Sequence, residues 1–340
     1  MKMDRPHILI ISNSMDLHAD LVEIRLNALG APTFRINLDC YPRDYRLNHA
    51  WMQHDMLRTI RHLPSGHMIN LDDVGAVWLR KSGEFAFTSD DLGAQEIAYA
   101  RQEAEHALFG LLYTLDCYWM SHPLALRGAM WKGEQLQRAV RFGFLIPDTL
   151  VSNHPEAVVQ FRSAIRGDMV FKALSSPHLG AESVPEDVQV NTGIGTTVVD
   201  DDMMTHIDAV AELPCHFQAY IPKAYELRVT VIGQHVFAAK ILSQQDERTR
   251  IDCRDMHAEI PYEAYILPPA LEQRCRDFVH SYKLQYGAID LIVTPDGECV
   301  FLENNPVGQF LYIEELIPQF RMIDTLAHTL MDASTCTQTI

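Results

Sequence analysis

The sequence predicts an α/β chain of three lobes. Three observations carry this: the chain opens strand, helix, strand; the stretch after residue 121 repeats that alternation; and the remainder holds two β-hairpins with strong turn signals. At 340 residues the chain is long for one domain of ordinary size, so each lobe is expected to bury its own core.

The opening unit runs from the apolar strand His7 to Ile11, through an amphipathic helix Leu17 to Leu29 closed by Gly30, to the strand Thr33 to Leu38. Ser12-Asn13-Ser14-Met15 stands where a G-x-G-x-x-G turn would cradle a dinucleotide, which argues against such a site. A strand Ala76 to Leu79 precedes Arg80-Lys81, and a helical pattern spans Gly93 to Asp116. The first lobe is placed at 1–120.

A second lobe, 121–214, begins at Ser121-His122-Pro123. It is expected to hold helix Ala129 to Phe142, strand-like Leu150-Val151, helix Pro155 to Ile165 and strand Met169 to Ala173. Prolines and glycines with little periodicity between Ser175 and Gly195 suit a mobile loop or lid. The third lobe, 215–331, opens with strand Cys215 to Ile221. It pairs Glu226 to Ile232 with His235 to Leu242 across Gly233-Gln234, and continues with helix Pro269 to Leu284. Residues 332–340 read as a frayed tail.

Composition bounds the function. No run of eighteen apolar residues and no charged-then-apolar leader occurs, so the chain is expected to be soluble and cytoplasmic, with no membrane partner. The seven cysteines are scattered and odd in number, without a C-x-x-C pair, which disfavours a disulfide framework or structural zinc. A formal charge of -17 disfavours nucleic acid as a partner, because that binding depends on clustered Lys and Arg.

The chemistry concentrates between Gly287 and Pro306, two apolar strands joined by Asp296-Gly297. If those two residues form the whole turn, Asp290 falls directly opposite Glu303, and the two-residue strand period puts Asn305 on the same face. Two opposed carboxylates repel each other by roughly 0.2 to 1 kcal/mol, so a cation would favour the arrangement. Magnesium prefers such hard oxygen ligands and commonly bridges carboxylates to nucleotide phosphates.

An Asp, a Glu thirteen residues later and an Asn two further on, within Leu302-Glu303-Asn304-Asn305-Pro306, resemble the metal-binding end of ATP-grasp ligases. The following Gly308-Gln309-Phe310-Leu311-Tyr312-Ile313-Glu314 resembles more closely the microviridin-type graspetide ligases, which modify ribosomal peptides. The similarity extends over the chain, including Val77-Trp78-Leu79-Arg80. It implies an ATP-grasp fold with an N-terminal pre-ATP-grasp βαβ domain, and ATP and Mg2+ as cofactors.

The resemblance also implies roles. Asp290, Glu303 and Asn305 would hold the metal. Lys132, in Trp131-Lys-Gly-Glu-Gln-Leu-Gln137, and Lys172, in Val170-Phe-Lys172, match positions that hold nucleotide phosphates. Gln218, Ala219, Tyr220 and Ile221 match the hinge strand that reads adenine, and Glu226 the ribose-binding carboxylate. Arg228, Lys240 and Arg254 fall where the family contacts phosphate or acyl phosphate. Cys253 stands where graspetide ligases usually carry Trp; with no His/Asn pair to activate it, it reads as a pocket-lining or buried thiol.

The implied reaction joins a side-chain carboxylate to an amine or hydroxyl through an acyl phosphate, forming a macrolactam or macrolactone in a precursor peptide. The partner implied is a precursor with a leader segment, and a homodimer is compatible with the sequence. Alternative readings are an ATP-grasp ligase that joins amino acids or tags a protein terminus, and an inactive nucleotide-binding regulatory module. The acidic run Asp200-Asp201-Asp202 precedes a helical stretch Met203 to Ala211; it reads first as a helix cap, and secondly as a docking site for leader arginines.

Overall fold

A computed structural model describes residues 6–53, 56–175, 195–254 and 258–335. The opening unit forms as β1 (His7–Ser12), α1 (Leu17–Ala28) and β2 (Thr33–Asn37). Gly30, at φ +73°, lets the chain turn left-handed after α1. Next comes a three-stranded antiparallel sheet that the sequence reading did not anticipate: β3 (Tyr45–Trp51), β4 (Met56–His62) and β5 (Met68–Asn70). β6 (Val74–Leu79), α2 (Ala94–Leu112) and β7 (Tyr118–Trp119) complete a parallel sheet of order β2-β1-β6-β7.

Alternation along this sheet sends its residues into two cores. Leu9, Ile11, Phe34, Ile36 and Val77 pack on Leu108, Leu111 and Leu112 of α2. Ile8, Ile10 and Trp78 face Val22 and Leu26 of α1, and also Leu326 and Leu330 of the C-terminal helix Met322–Thr335. The first lobe is thus completed by the end of the chain. Asp332 to Thr335, expected to fray, are the last turn of that helix, and a Cβ on Gly75 would collide with the Ser334 carbonyl.

The helix expected over Ala129 to Phe142 is two: α3 (Pro123–Ala129) and α4 (Lys132–Arg141), separated because Trp131 is extended at ψ 107°. Both serve the C-terminal lobe, since Leu126, Leu136, Ala139 and Phe144 share a core with Leu227, Val229, Phe278 and Phe301. Ring centroids of Phe144, Phe278 and Phe301 lie 5.0 to 5.9 Å apart. Each such pair contributes roughly 0.5 to 1.5 kcal/mol beyond area burial.

The middle lobe contains β8 (Thr149–Ser152), α5 (Pro155–Ala164), β9 (Met169–Lys172), β10 (Thr197–Val198), α6 (Asp201–Thr205) and β11 (Cys215–Ala219). The stretch Met203 to Ala211 is not one helix: α6 stops at Thr205, and a 3-10 turn follows over Ile207–Glu212. β11 was assigned to the third lobe, yet it pairs with β8 and β9 in a sheet of order β10-β9-β11-β8. A strand pattern reports existence, not partners.

The C-terminal lobe is a five-stranded antiparallel sheet of order β14-β13-β12-β15-β16. Its strands are β12 (Tyr225–Ile232), β13 (His235–Ile241), β14 (Tyr262–Tyr265), β15 (Tyr286–Val293) and β16 (Cys299–Asn305). The β12–β13 turn at Gly233-Gln234 forms as expected, with Gly233 at φ +56°. Helix α7 (Pro269–His280) stops one turn earlier than expected, and α8 (Leu311–Leu316) and α9 (Met322–Thr335) close the chain.

Candidate active site

Asp290 pairs with Glu303 across β15 and β16, for a different reason than the turn length suggested. Thr294 N donates to Glu298 O and Gly297 N to Thr294 O, each at 2.9 Å, so the loop is Pro295-Asp296-Gly297, three residues, with Gly297 at φ +85°. That register pairs Leu291 with Phe301. A bulge between Asp290 and Leu291 then restores the Asp290–Glu303 pairing and sets Asn305 opposite Ala288.

Protein cations already face both carboxylates. Arg228, paired with Asp290 on β12, donates from Nη1 to both Asp290 oxygens at 2.8 Å. Lys132 Nζ lies 3.0 Å from Glu303 Oε2 and donates to Ala173 O at 3.0 Å. Lys132 arrives there because α4 is pinned on β16: buried Gln135 donates to Asn304 O at 2.8 Å and accepts from Asn304 N at 2.8 Å. Burial and the Glu303 charge raise the Asp290 carboxyl against the pull of Arg228. Burial works the same way on Glu303, but Lys132, Lys172 and Arg254 outweigh it and hold Glu303 below its ordinary value.

Further charges converge on this face. Burial pushes Lys172 down to about 8, with Glu303 opposing and Lys132 and Lys223 assisting. His216, opposite Lys172 in the β11–β9 pairing, is 3% exposed, and among the described residues neither ring nitrogen has a hydrogen-bond partner. Burial, Lys172 and Lys132 push it to about 4. Glu226 is buried and accepts from Lys223 Nζ at 2.7 Å. Asp252 accepts from Thr196 N and Arg254 N, each at 3.1 Å, and from Arg254 Nε at 2.7 Å. Burial pushes the Cys253 thiol well above its ordinary value, which disfavours the thiolate a nucleophile needs.

Lys223, His216, Gln135 and Asp252 escaped the sequence reading. Lys223 alone had a visible signal, its i, i+3 spacing to Glu226 just after the hinge strand. In that strand Gln218 Nε2 donates to Thr149 Oγ1 at 3.0 Å, and the Ala219 and Tyr220 amides donate to Asp148 O and Asp168 O. Ile221 lies just beyond β11.

Lys240 is a correction. It pairs with Leu227, whereas Arg228 pairs with Asp290, so strand alternation sends Lys240 to the opposite face of the sheet. There its Nζ stands 4.7 Å from the Tyr225 ring centre and 3.6 Å from Glu263. Asp200 caps α6, accepting from Met203 N at 2.8 Å, and Asp201 and Asp202 are exposed. Of the expected lid, residues 176–194 lie outside the described residues.

The donor chemistry fits magnesium with a nucleotide. The Asp290 and Glu303 side chains are 28% and 35% exposed, and Asn305 is exposed beside them. Among the described residues no cluster of three or more His, Cys, Asp or Glu could hold a metal alone. Such an incomplete oxygen set suits an ion that also takes phosphate and water ligands. Three lysines and the His216 imidazole supply the cationic and donor groups that phosphates require.

A family model described as the MvdD pre-ATP grasp domain matches residues 7–126. The chain is similar to the macrocyclase MdnC of Microcystis aeruginosa MRC, solved with its precursor peptide MdnA, at 30% identity over 96% of this chain and 99% of that one, TM-score 0.83. It is similar at 30% identity, over 96% and 97% of the two chains and with TM-score 0.86, to a RiPP-associated ATP-grasp ligase of Chryseobacterium gregarium, solved with ADP and a leader and core peptide. The macrocyclase MdnB of Microcystis aeruginosa MRC matches at 27% identity over 96% and 99%, TM-score 0.78. No curated protein sequence matches the chain.

Proposed function

Because this chain belongs to the peptide-modifying branch of the ATP-grasp ligases, the graspetide maturases, we propose that it closes side-chain macrolactam or macrolactone rings in a ribosomally made precursor peptide. The observation that carries the reading is the meeting of Asp290 and Glu303 across one strand pair with Lys132 against Glu303 and Lys172 within electrostatic reach.

In this reading Asp290, Glu303 and Asn305 hold Mg2+, which when bound neutralises phosphate charge. Lys132 and Lys172 hold the nucleotide phosphates, the hinge Gln218 to Ile221 receives the adenine, and Glu226, set by Lys223, receives the ribose. A peptide carboxylate attacks the γ-phosphorus, ADP leaves, and an acyl phosphate forms. An amine or hydroxyl of the same peptide then attacks the acyl carbon, loses its proton and expels phosphate. Arg228 and Arg254 face the charge that develops in these steps. The carboxylates, lysines and hinge of a working ligase are all present, which speaks against an inactive regulatory module.

No helix among the described residues is long and apolar enough to cross a membrane, and the six described cysteines are free thiols, which fits a cytoplasmic enzyme. The exposed Asp201 and Asp202 are proposed to dock a leader segment, and a homodimer is a further proposal that sedimentation decides.

The test is ADP release with Mg2+ and a leader-bearing peptide. Glu303→Gln should remain folded and lose at least about a hundred-fold in turnover, a loss of order 3 kcal/mol. Glu298→Gln, on the exposed turn, should change it little. Wild-type turnover in Glu303→Gln would remove the metal assignment.

A further inference from the structure

Residues Pro306 to Phe310 connect β16 to α8, and the stretch from Val307 to the first residue of α8, Leu311, is gripped from several elements at once. Asn305 Oδ1 accepts from Val307 N at 3.2 Å, and Val307 O accepts from Arg80 Nη1 at 2.6 Å. Gly308 O accepts from the Tyr286 hydroxyl at 2.7 Å, and Gln309 O from Arg228 Nη2 at 3.4 Å. Phe310 N and Leu311 N donate to His18 Nε2 at 3.1 and 3.4 Å. Arg80 and His18 belong to the first lobe, more than two hundred residues away in sequence. The turn also touches Arg228 directly: a Cβ on Gly308 would stand 3.0 Å from Arg228 Nη2 and 2.6 Å from the Ala288 Cβ.

His18 is built for this contact. It is 7% exposed, and because Nε2 accepts, the neutral ring carries its proton on Nδ1, 3.5 Å from Asp16 Oδ1. Asp16 is 1% exposed and accepts from the Ser12 hydroxyl at 2.5 Å. Burial opposes the Asp16 charge, but the approach of His18, the hydrogen bond from Ser12 and the Arg80 charge hold it at about 2. Burial, helped by Arg80 and Lys81 and opposed by Asp16, keeps His18 below its ordinary value and hence a neutral acceptor. Ser12, Asp16 and His18 are not a hydrolytic triad: the hydroxyl donates to Asp16, and the free imidazole nitrogen is already taken by backbone.

We propose that His18, oriented by Asp16, is a positioning residue for the metal-binding end of β16. From the first lobe it fixes the Val307–Leu311 turn, and through that turn Asn305 and the Arg228 that grips Asp290. The proposal rests on the ligase reading and gives the first lobe a use, as the support that keeps the metal ligands in place.

The test titrates Mn2+ by electron paramagnetic resonance into the full chain with ADP present, comparing wild type with His18→Leu and His18→Gln. Leu removes the acceptor, whereas Gln keeps one on a flexible stem. His18→Leu should weaken Mn2+ about ten-fold while ADP affinity without metal stays within about two-fold, and His18→Gln should restore most of the loss. Amide exchange at Phe310 and Leu311 should be about ten-fold faster in His18→Leu. Should that variant fail to fold, Asp16→Asn, which frees the imidazole to turn, must weaken Mn2+ by itself. Wild-type Mn2+ affinity in the folded variants overturns the proposal. So does equal loss in His18→Leu and His18→Gln, which marks a packing defect. A wild type that binds no Mn2+ overturns the metal assignment of β15 and β16 together with this proposal, a result distinct from the other two.

Discussion

Lys172 offers a prediction that follows from its surroundings. Its ammonium is pushed from 10.5 to about 8 by burial, assisted by Lys132 and Lys223 and opposed by Glu303. A bound nucleotide phosphate would restore the proton, so nucleotide binding should be coupled to proton uptake. With a folded value of about 8, the free chain lacks about 0.1 proton at Lys172 at pH 7, about 0.5 at pH 8 and about 0.9 at pH 9. Apparent ADP affinity should therefore fall about two-fold at pH 8 and about ten-fold at pH 9, because only the protonated fraction is competent. Phosphate titrates near pH 6 and adds nothing in that window. The sign for stability is the reverse: between pH 8 and 10.5 the unfolded chain binds more protons at this position, so the Lys172 contribution to stability rises with pH there. Calorimetric titration of ADP in buffers of differing ionisation enthalpy reads the proton number directly. Lys172→Gln should bind more weakly and take up no proton at pH 8. Equal uptake by wild type and Lys172→Gln would refute the assignment.

Three other expectations follow from the site. Lys240→Gln should leave turnover within about two-fold and cost under about 1 kcal/mol in a denaturant melt, since its ion pair and ring contact lie on the far face of the sheet; a large loss of turnover would return it to the site. Asp201→Asn with Asp202→Asn should lower peptide affinity and its salt dependence while leaving ATP binding intact, because Asp200 supplies the cap; unchanged affinity and salt slope would leave the acidic run as a helix terminus. Gly308→Ala should destabilise the chain by roughly 1 to 3 kcal/mol through overpacking against Ala288, read as a lower melting temperature.

How far the fold was legible depended on the range of the interactions that set it. Local signals gave α1, the β12–β13 hairpin and the existence of β15 and β16, because caps, turns and two-residue alternation act over a few residues. Partners were not legible. β11 read as the start of a third lobe although its hydrogen bonds go to β8 and β9, and α9 read partly as a tail although it covers the first sheet. The Asp290–Glu303 pair was placed by assuming a two-residue turn, and the pairing stands because a bulge compensates a three-residue loop. Lys240 was misplaced because a list of basic residues near the site ignores which face of the strand each takes. Gln135 and His18 could not be found at all: each acts through a pair of hydrogen bonds to backbone 169 or more residues away, and nothing local marks it.

The central claim is that the chain spends ATP to link side chains within a precursor peptide. Mass spectrometry of a leader-bearing peptide with Thr or Ser or Lys and Asp or Glu in its core, incubated with the chain, ATP and Mg2+, tests it most directly. Each link should remove the mass of one water and release one ADP, with the loss absent in Glu303→Gln. ATP consumed at wild-type rate with the peptide mass unchanged, across cores that offer both carboxylates and acceptors, would contradict the account.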